Sequence, residues 1–207
     1  VHSSTAYIDI PVVAFARAGA FATGKSKYLV NISNAYIDIP VVAFARAGAF
    51  EFSAGGYVGF MVQSSGEGSL VFSEGLTETG IPIASTEFFL NHNYRKDDPG
   101  ESIGDETQVV QVDNRTLTLP KTLGAYYDYP EDRGRLFNSL DFGLIGGFSY
   151  FLSSSLYAGV RLQYGLADVT NNKADLQKSS TGPNKSLLFR DDKDKNFVIQ
   201  ASVGFSF

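Results

Sequence analysis

Cysteine is absent from the 207-residue chain, which excludes disulfides, thiolate nucleophiles and Cys-based metal sites and leaves the redox compartment open. Histidine is almost as scarce, since only His2 and His92 occur. A Ser-His-Asp arrangement or a histidine-rich metal centre would therefore have to use His92 in "FLNHNY", with no second histidine nearby in the chain. Lys and Arg nowhere cluster, and the net charge of -5 with a pI near 5.0 argues against neutralising several phosphates, so no nucleic-acid partner is expected. No run of eighteen apolar residues occurs, which excludes a membrane-spanning helix but not a spanning strand. The chain opens with no charged n-region and apolar h-region, so an export signal is expected to have been removed already. GxGxxG after a strand, a P-loop and a heptad repeat are all missing.

What the chain does have is period two. In "NFVIQASVGFSF", Phe197, Ile199, Ala201, Val203, Phe205 and Phe207 alternate with Asn196, Val198, Gln200, Ser202, Gly204 and Ser206. "SLYAGVRLQYGL" sets Leu156, Ala158, Val160, Leu162, Tyr164 and Leu166 against a face whose only charge is Arg161. "DFGLIGGFSYFL" alternates more loosely, with Phe142, Leu144, Phe148, Tyr150 and Leu152 opposite Asp141, Ile145 and Phe151. Residues 52 to 63 and 35 to 46 comply as well. These runs exceed the usual strand of about five or six residues and match the roughly nine to eleven of a tilted spanning strand.

The connections sort by length. With strands at 35–46, 52–63, 139–152, 155–166 and 196–207 running alternately down and up, residues 47–51 and Ser153-Ser154 form short turns at one end. Residues 64–138 and 167–195 then fall together at the other end. Short links on one side and long links on the other suit an outer-membrane barrel, with Tyr150, Tyr164, Phe205 and Phe207 at strand ends where aromatic girdles belong.

In order, "AYIDIPVVAFAR", "SAGGYVGFMV", "DFGLIGGFSYFL", "LYAGVRLQYGLADV" and the closing "NFVIQASVGFSF" resemble the PorT-like outer-membrane β-barrels of Bacteroidota, over residues 35–63 and 139–207. The resemblance implies an antiparallel, usually eight-stranded barrel placed in the bacterial outer membrane by the insertion machinery, which reads a terminal aromatic, here Phe207. It implies no single activity, since relatives include secretion-system components and surface-complex subunits. Two features depart from the family: no family-like strands precede residue 35, and the connection 64–138 is unusually long.

The expected fold is thus all-β: one domain over residues 1–207, an eight-stranded antiparallel transmembrane barrel with residues 64–138 as a long extracellular cap. "SLVF", "STEFFL" and "TQVVQV" give that region strand-like patches, and Asp113-Asn114 suits the turn of a hairpin over 107–120. Asp38, Arg46 and Arg161 lie on the face away from lipid, because an arginine at the bilayer midplane costs about 2 to 4 kcal/mol. An interior of about eight strands only just holds side chains, so the three charges are expected to pair across the lumen and close it. Pro40, without a ladder N–H, favours an edge or a bulge. The acidic runs "RKDDPGESIGDE" and "RDDKDKN" lack EF-hand spacing.

No catalytic group, metal or cofactor is therefore expected. The expected function is a non-enzymatic barrel in contact with outer-membrane lipid, acting as a structural or accessory subunit of a surface assembly of secretion or nutrient-uptake type. A small pore or ligand carrier is the alternative, and a lipid-modifying enzyme using His92 a remoter one.

One anomaly concerns the start of the chain. "AYIDIPVVAFARAGAF" stands at 6–21 and again, unchanged, at 35–50. Genuine solenoid repeats recur at least three times and diverge, and adjacent barrel strands run in opposite directions. Only the second copy leads into "EFSAGGYVGF", so residues 1–27 read as a duplication in place of true first strands.

Overall fold

The computed structural model describes residues 2–8, 22–77, 79–112, 114–176 and 188–205, with side chains for all of these except 2–8 and 22–23. Phe207 and residues 9–21, most of the first copy of the repeat, lie outside the described residues. The described residues are all-β. Among them there is no helix, and so none long and apolar enough to cross a membrane.

Among the described residues eleven strands follow one another: β1 His2–Ile8, β2 Ala22–Ala47, β3 Phe50–Thr77, β4 Pro82–Ile83, β5 Thr86–Asn93, β6 Thr107–Val112, β7 Arg115–Pro120, β8 Thr122–Leu123, β9 Leu140–Phe151, β10 Leu156–Gly165 and β11 Phe197–Phe205. The main sheet runs β1-β2-β3-β9-β10-β11, with β4 and β5 on β3 and β8 on β5. Its ends, β1 and β11, are not joined among the described residues. The five strands read from periodicity correspond to parts of β2 and β3 and to β9, β10 and β11, in the expected neighbour order. The pairs β3-β9, β9-β10 and β10-β11 are antiparallel.

The short turns are built as their residues require. Gly48 takes φ 61 between β2 and β3, a left-handed conformation that glycine adopts without a Cβ penalty. Ser153 Oγ accepts from the Leu156 and Ser155 amides at 3.1 and 3.3 Å, closing the β9-β10 turn. β6 and β7 pair from Thr107↔Pro120 to Val112↔Arg115 in a separate two-stranded sheet, and Asp113 of the expected turn lies outside the described residues. Pro40 stands inside β2, in a stretch for which, among the described residues, β3 is the one partner in the sheet order, because β1 pairs with residues 26–32. In β1, Ala6, Tyr7 and Ile8 of the first repeat copy lie antiparallel to Tyr28, Lys27 and Ser26, away from their twins at 35–37.

The single domain expected over 1–207 is organised as two compact units. The first comprises Val1–Asn34, Gln63–Leu136 and Asn172–Asp191; the second comprises Ala35–Val62, Phe137–Asn171 and Asp192–Phe207. β2 and β3 contribute residues to both.

The first unit has an ordinary core, in which Val30, Leu70, Phe72, Ile83, Phe88, Leu90, Val110, Val112, Leu117, Leu119, Leu123 and Tyr127 pack together. Phe72 and Phe88 are fully buried, and each such side chain contributes about 1.5 to 3 kcal/mol through removal from water. β5 shows why the segment folds: Thr86, Phe88, Leu90 and His92 point in while their neighbours point out, and residues 65–72 of β3 pair with it.

The second unit reverses this arrangement. Ile37, Ile39, Val41, Phe52, Val58, Phe60, Val62, Phe142, Leu144, Phe148, Val160, Leu162, Ile199 and Val203 are exposed, Val41 at 76% and Val203 at 74%. All exposed large hydrophobics of the described residues belong to this unit except Leu76, Ile81, Phe89 and Val109. Near the short-turn end, the rings of Phe50, Phe52, Phe148 and Tyr150 pack against one another, stacked or tilted, with centroids 5.3 to 5.8 Å apart. The other face carries buried Tyr57, Met61, Asp141, Ile145, Phe151 and Gln163. Among the exposed large hydrophobics of this unit only Phe44 and Val198 lie on that face; the strand parity read from the sequence puts the rest on the other.

Candidate functional site

The polar face of the second unit gathers its donors and acceptors around Asp141. Ladder registers place Gly59 beside Asp141, Tyr57 beside Gly143 and Gly143 beside Gly165, so odd-numbered residues of β3, β9 and β10 share this face. Asp141 is 3% exposed. Its Oδ2 accepts from the Tyr57 hydroxyl at 2.9 Å and from Asn196 Nδ2 at 2.8 Å. Its Oδ1 is buried with no hydrogen-bond donor, an arrangement that costs about 1 to 3 kcal/mol unless something else supplies positive charge or a proton.

Asp38 reaches the same cluster from β2. Its Oδ2 accepts from Gln163 Nε2 at 3.2 Å. Neighbouring strands lie about 4.8 Å apart, so β2 and β10, with β3 and β9 between them, would be roughly 14 Å apart in a flat sheet. The Asp38–Gln163 contact therefore requires the sheet of the second unit to curl, with the polar face on the inside. Arg46 of β2 gives the same result at the opposite end of the strands: its guanidinium carbon lies 3.5 Å from the ring centroid of Phe151 on β9.

Asp38, Arg46 and Arg161 thus share one face but are held separately. Arg46 Nε also donates to the Gly48 carbonyl at 3.3 Å, and Arg161 Nε is buried without an acceptor. Among the described residues no ion pair joins these three charges. Their difference in height along the strands explains it, since Arg161 is level with Gly147 whereas Gly59, which flanks Asp38, is level with Asp141. Asp141, Tyr57 and Asn196 were not singled out in the sequence. The available signal was a second carboxylate on the same inward parity as Asp38.

His92 sits in the first unit, 3% exposed, with Nδ1 3.0 Å from the Tyr94 hydroxyl. Its ring packs against Tyr28 and Tyr94. Tyr126 donates to the Tyr94 carbonyl at 2.7 Å, and Tyr129 donates to the Ala174 carbonyl. Burial pushes the Tyr94, Tyr126 and Tyr129 phenols above their ordinary value.

The acidic runs hydrogen-bond to backbone amides and to neighbouring side chains. Asp97 Oδ2 accepts from the Asn93 and Ala125 amides, each at 2.8 Å, and Glu101 accepts from the Asp98 amide. Arg135 donates to the Asp97 carbonyl. Asp191 accepts from Asn172, and Asp194 from the Thr170 hydroxyl.

No family model, curated protein or solved structure matches the chain.

Proposed function

We propose that the chain is a non-enzymatic bacterial outer-membrane β-barrel protein, akin to the PorT-like barrels, whose second unit spans the lipid and whose first unit is an extracellular docking module of a surface assembly of secretion or nutrient-uptake type. The observation that carries this reading is the inversion of burial in the second unit. Its five strands expose Val, Leu, Ile and Phe on one face and curl a polar face inward, an arrangement that costs free energy in water and gains it in hydrocarbon. Five strands are too few and of the wrong parity for an antiparallel barrel, so closure to eight needs three more. The first unit supports the docking role because it has its own hydrophobic core and leaves Phe89 and Val109 outside that core.

Purification from native membranes in mild detergent, with identification of co-eluting proteins, tests the docking role. A stable complex lost on deletion of the β6-β7 hairpin is expected. A protein that always runs alone, and whose residues 64–138 are trimmed freely by protease, contradicts it.

The alternative of a narrow pore draws on the polar inner face with Asp38, Asp141 and Gln163. Planar-bilayer recording separates the two readings: the subunit role predicts no stable, salt-dependent conductance from the purified protein.

A further inference from the structure

We propose that Asp141 and Asp38 bind a hard divalent cation, calcium by the character of the donors, within the polar face of the second unit. The inference goes beyond the docking role and does not depend on it. Four observations converge. Asp141 is 3% exposed and its Oδ1 has no donor. Among the described residues no lysine or arginine forms an ion pair with either carboxylate. Tyr36 faces Asp141, Asn196 and Asp38, and its hydroxyl oxygen is buried without a hydrogen bond of proper geometry. Glycine stands at both flanking positions: a Cβ at Gly59 would fall 2.5 Å from Asp38 Oδ1 and 3.7 Å from Asp141 Cβ, and one at Gly165 would fall 3.2 Å from Asp141 Oδ1.

The donor set decides the class of ligand. Two carboxylates and a phenol oxygen offer oxygen alone, which selects hard cations over zinc or copper, and two uncompensated negative charges match a divalent one. Calcium accepts six to eight oxygens in irregular geometry and completes its shell with water, whereas magnesium demands a near-ideal octahedron. Tyr57, Asn196 and Gln163 hold the second oxygens of the two carboxylates, an orienting role of the kind that outer-shell partners play around metals. The absence of EF-hand spacing in the loops does not bear on this site, because its residues come from β2, β3, β9, β10 and the residue preceding β11. Sequence spacing alone could not have revealed it.

The test uses the full chain in detergent, stripped with EDTA and titrated with calcium chloride, magnesium chloride or sodium chloride at matched ionic strength. Calcium binding by equilibrium dialysis and thermal unfolding of the second unit are the readouts. Saturable binding of calcium with an upward shift in melting temperature is expected. Asp141→Asn should abolish both, and Asp38→Asn, at an exposed residue the fold tolerates, should weaken binding by about tenfold or more. If Asp141→Asn does not fold, the Asp38→Asn comparison still decides. Absence of bound calcium, an unchanged calcium response in Asp38→Asn, or magnesium or sodium acting as well as calcium would overturn the proposal.

Discussion

The two units are built from the same kind of strand, and from parts of the same two strands, yet they bury opposite faces. In the first, Phe72 and Phe88 vanish into a core while Glu67 and Glu87 face out. In the second, Phe142, Leu144 and Phe148 face out while Asp141 is sealed in. The contrast teaches that period two reports only that a strand has two unlike faces. Which face is buried depends on the solvent outside, and only the burial of a carboxylate beside exposed phenylalanine shows the second unit to be inverted.

The most damaging change to the first unit alone is removal of a core ring. Phe88→Ala should cost about 3 to 5 kcal/mol and make residues 64–136 protease-sensitive while residues 137–171 of the second unit stay as resistant as in the parent. Equal damage to both would break the division. A charge on the apolar face tests the other half of the comparison: Leu144→Arg should cost about 2 to 4 kcal/mol in vesicles, read from urea titrations, and much less if that face meets water. Within the polar cluster, Tyr57→Phe removes one of two donors to Asp141 Oδ2 and should cost about 1 to 3 kcal/mol, again by urea titration.

Alkaline pH acts on the first unit by a gentler route. Unfolded tyrosine loses its proton near pH 10, whereas folded Tyr94, Tyr126 and Tyr129 hold theirs to higher pH because burial disfavours phenolate. Their protonated, buried state is therefore fully compatible with folding below pH 10. Above it, stability falls by up to about 1.4 kcal/mol per group per pH unit. Protease sensitivity of residues 64–136 should accordingly rise above pH 10 and stay flat between 7 and 9. The smallest effect belongs to Val109→Lys, at an exposed residue of the first unit, which should change stability by less than about 0.5 kcal/mol. Set beside Leu144→Arg, it shows whether an exposed apolar residue means the same thing in both units.

Much of the second unit was legible because an unlike environment on each face enforces alternation over ten or more residues. The first unit was legible only in pieces. "TQVVQVDNRTLTLP" carries its own turn chemistry and forms a hairpin, but β3 runs on to Thr77 through "SSGEGSLVFSEGLT", where glycine and serine blur the pattern. β4 and β8, with two residues each, carry no period at all. In the candidate site, parity put Asp38, Arg46 and Arg161 on one face of their strands. That Asp38 meets Gln163, and not either arginine, follows from strand tilt and curl, which no local spacing records.

The central claim, that the exposed apolar face of the second unit lies in lipid, is tested most directly by nitroxide scanning. The chain has no cysteine of its own, so single cysteines at residues 159 to 164 of β10 can each carry a label in vesicles. Oxygen accessibility should peak at 160, 162 and 164 and fall at 159, 161 and 163, with the water-soluble nickel reagent excluded from the first set. Labels at 160, 162 and 164 that are open to the nickel reagent, or an absence of alternation, would contradict the account.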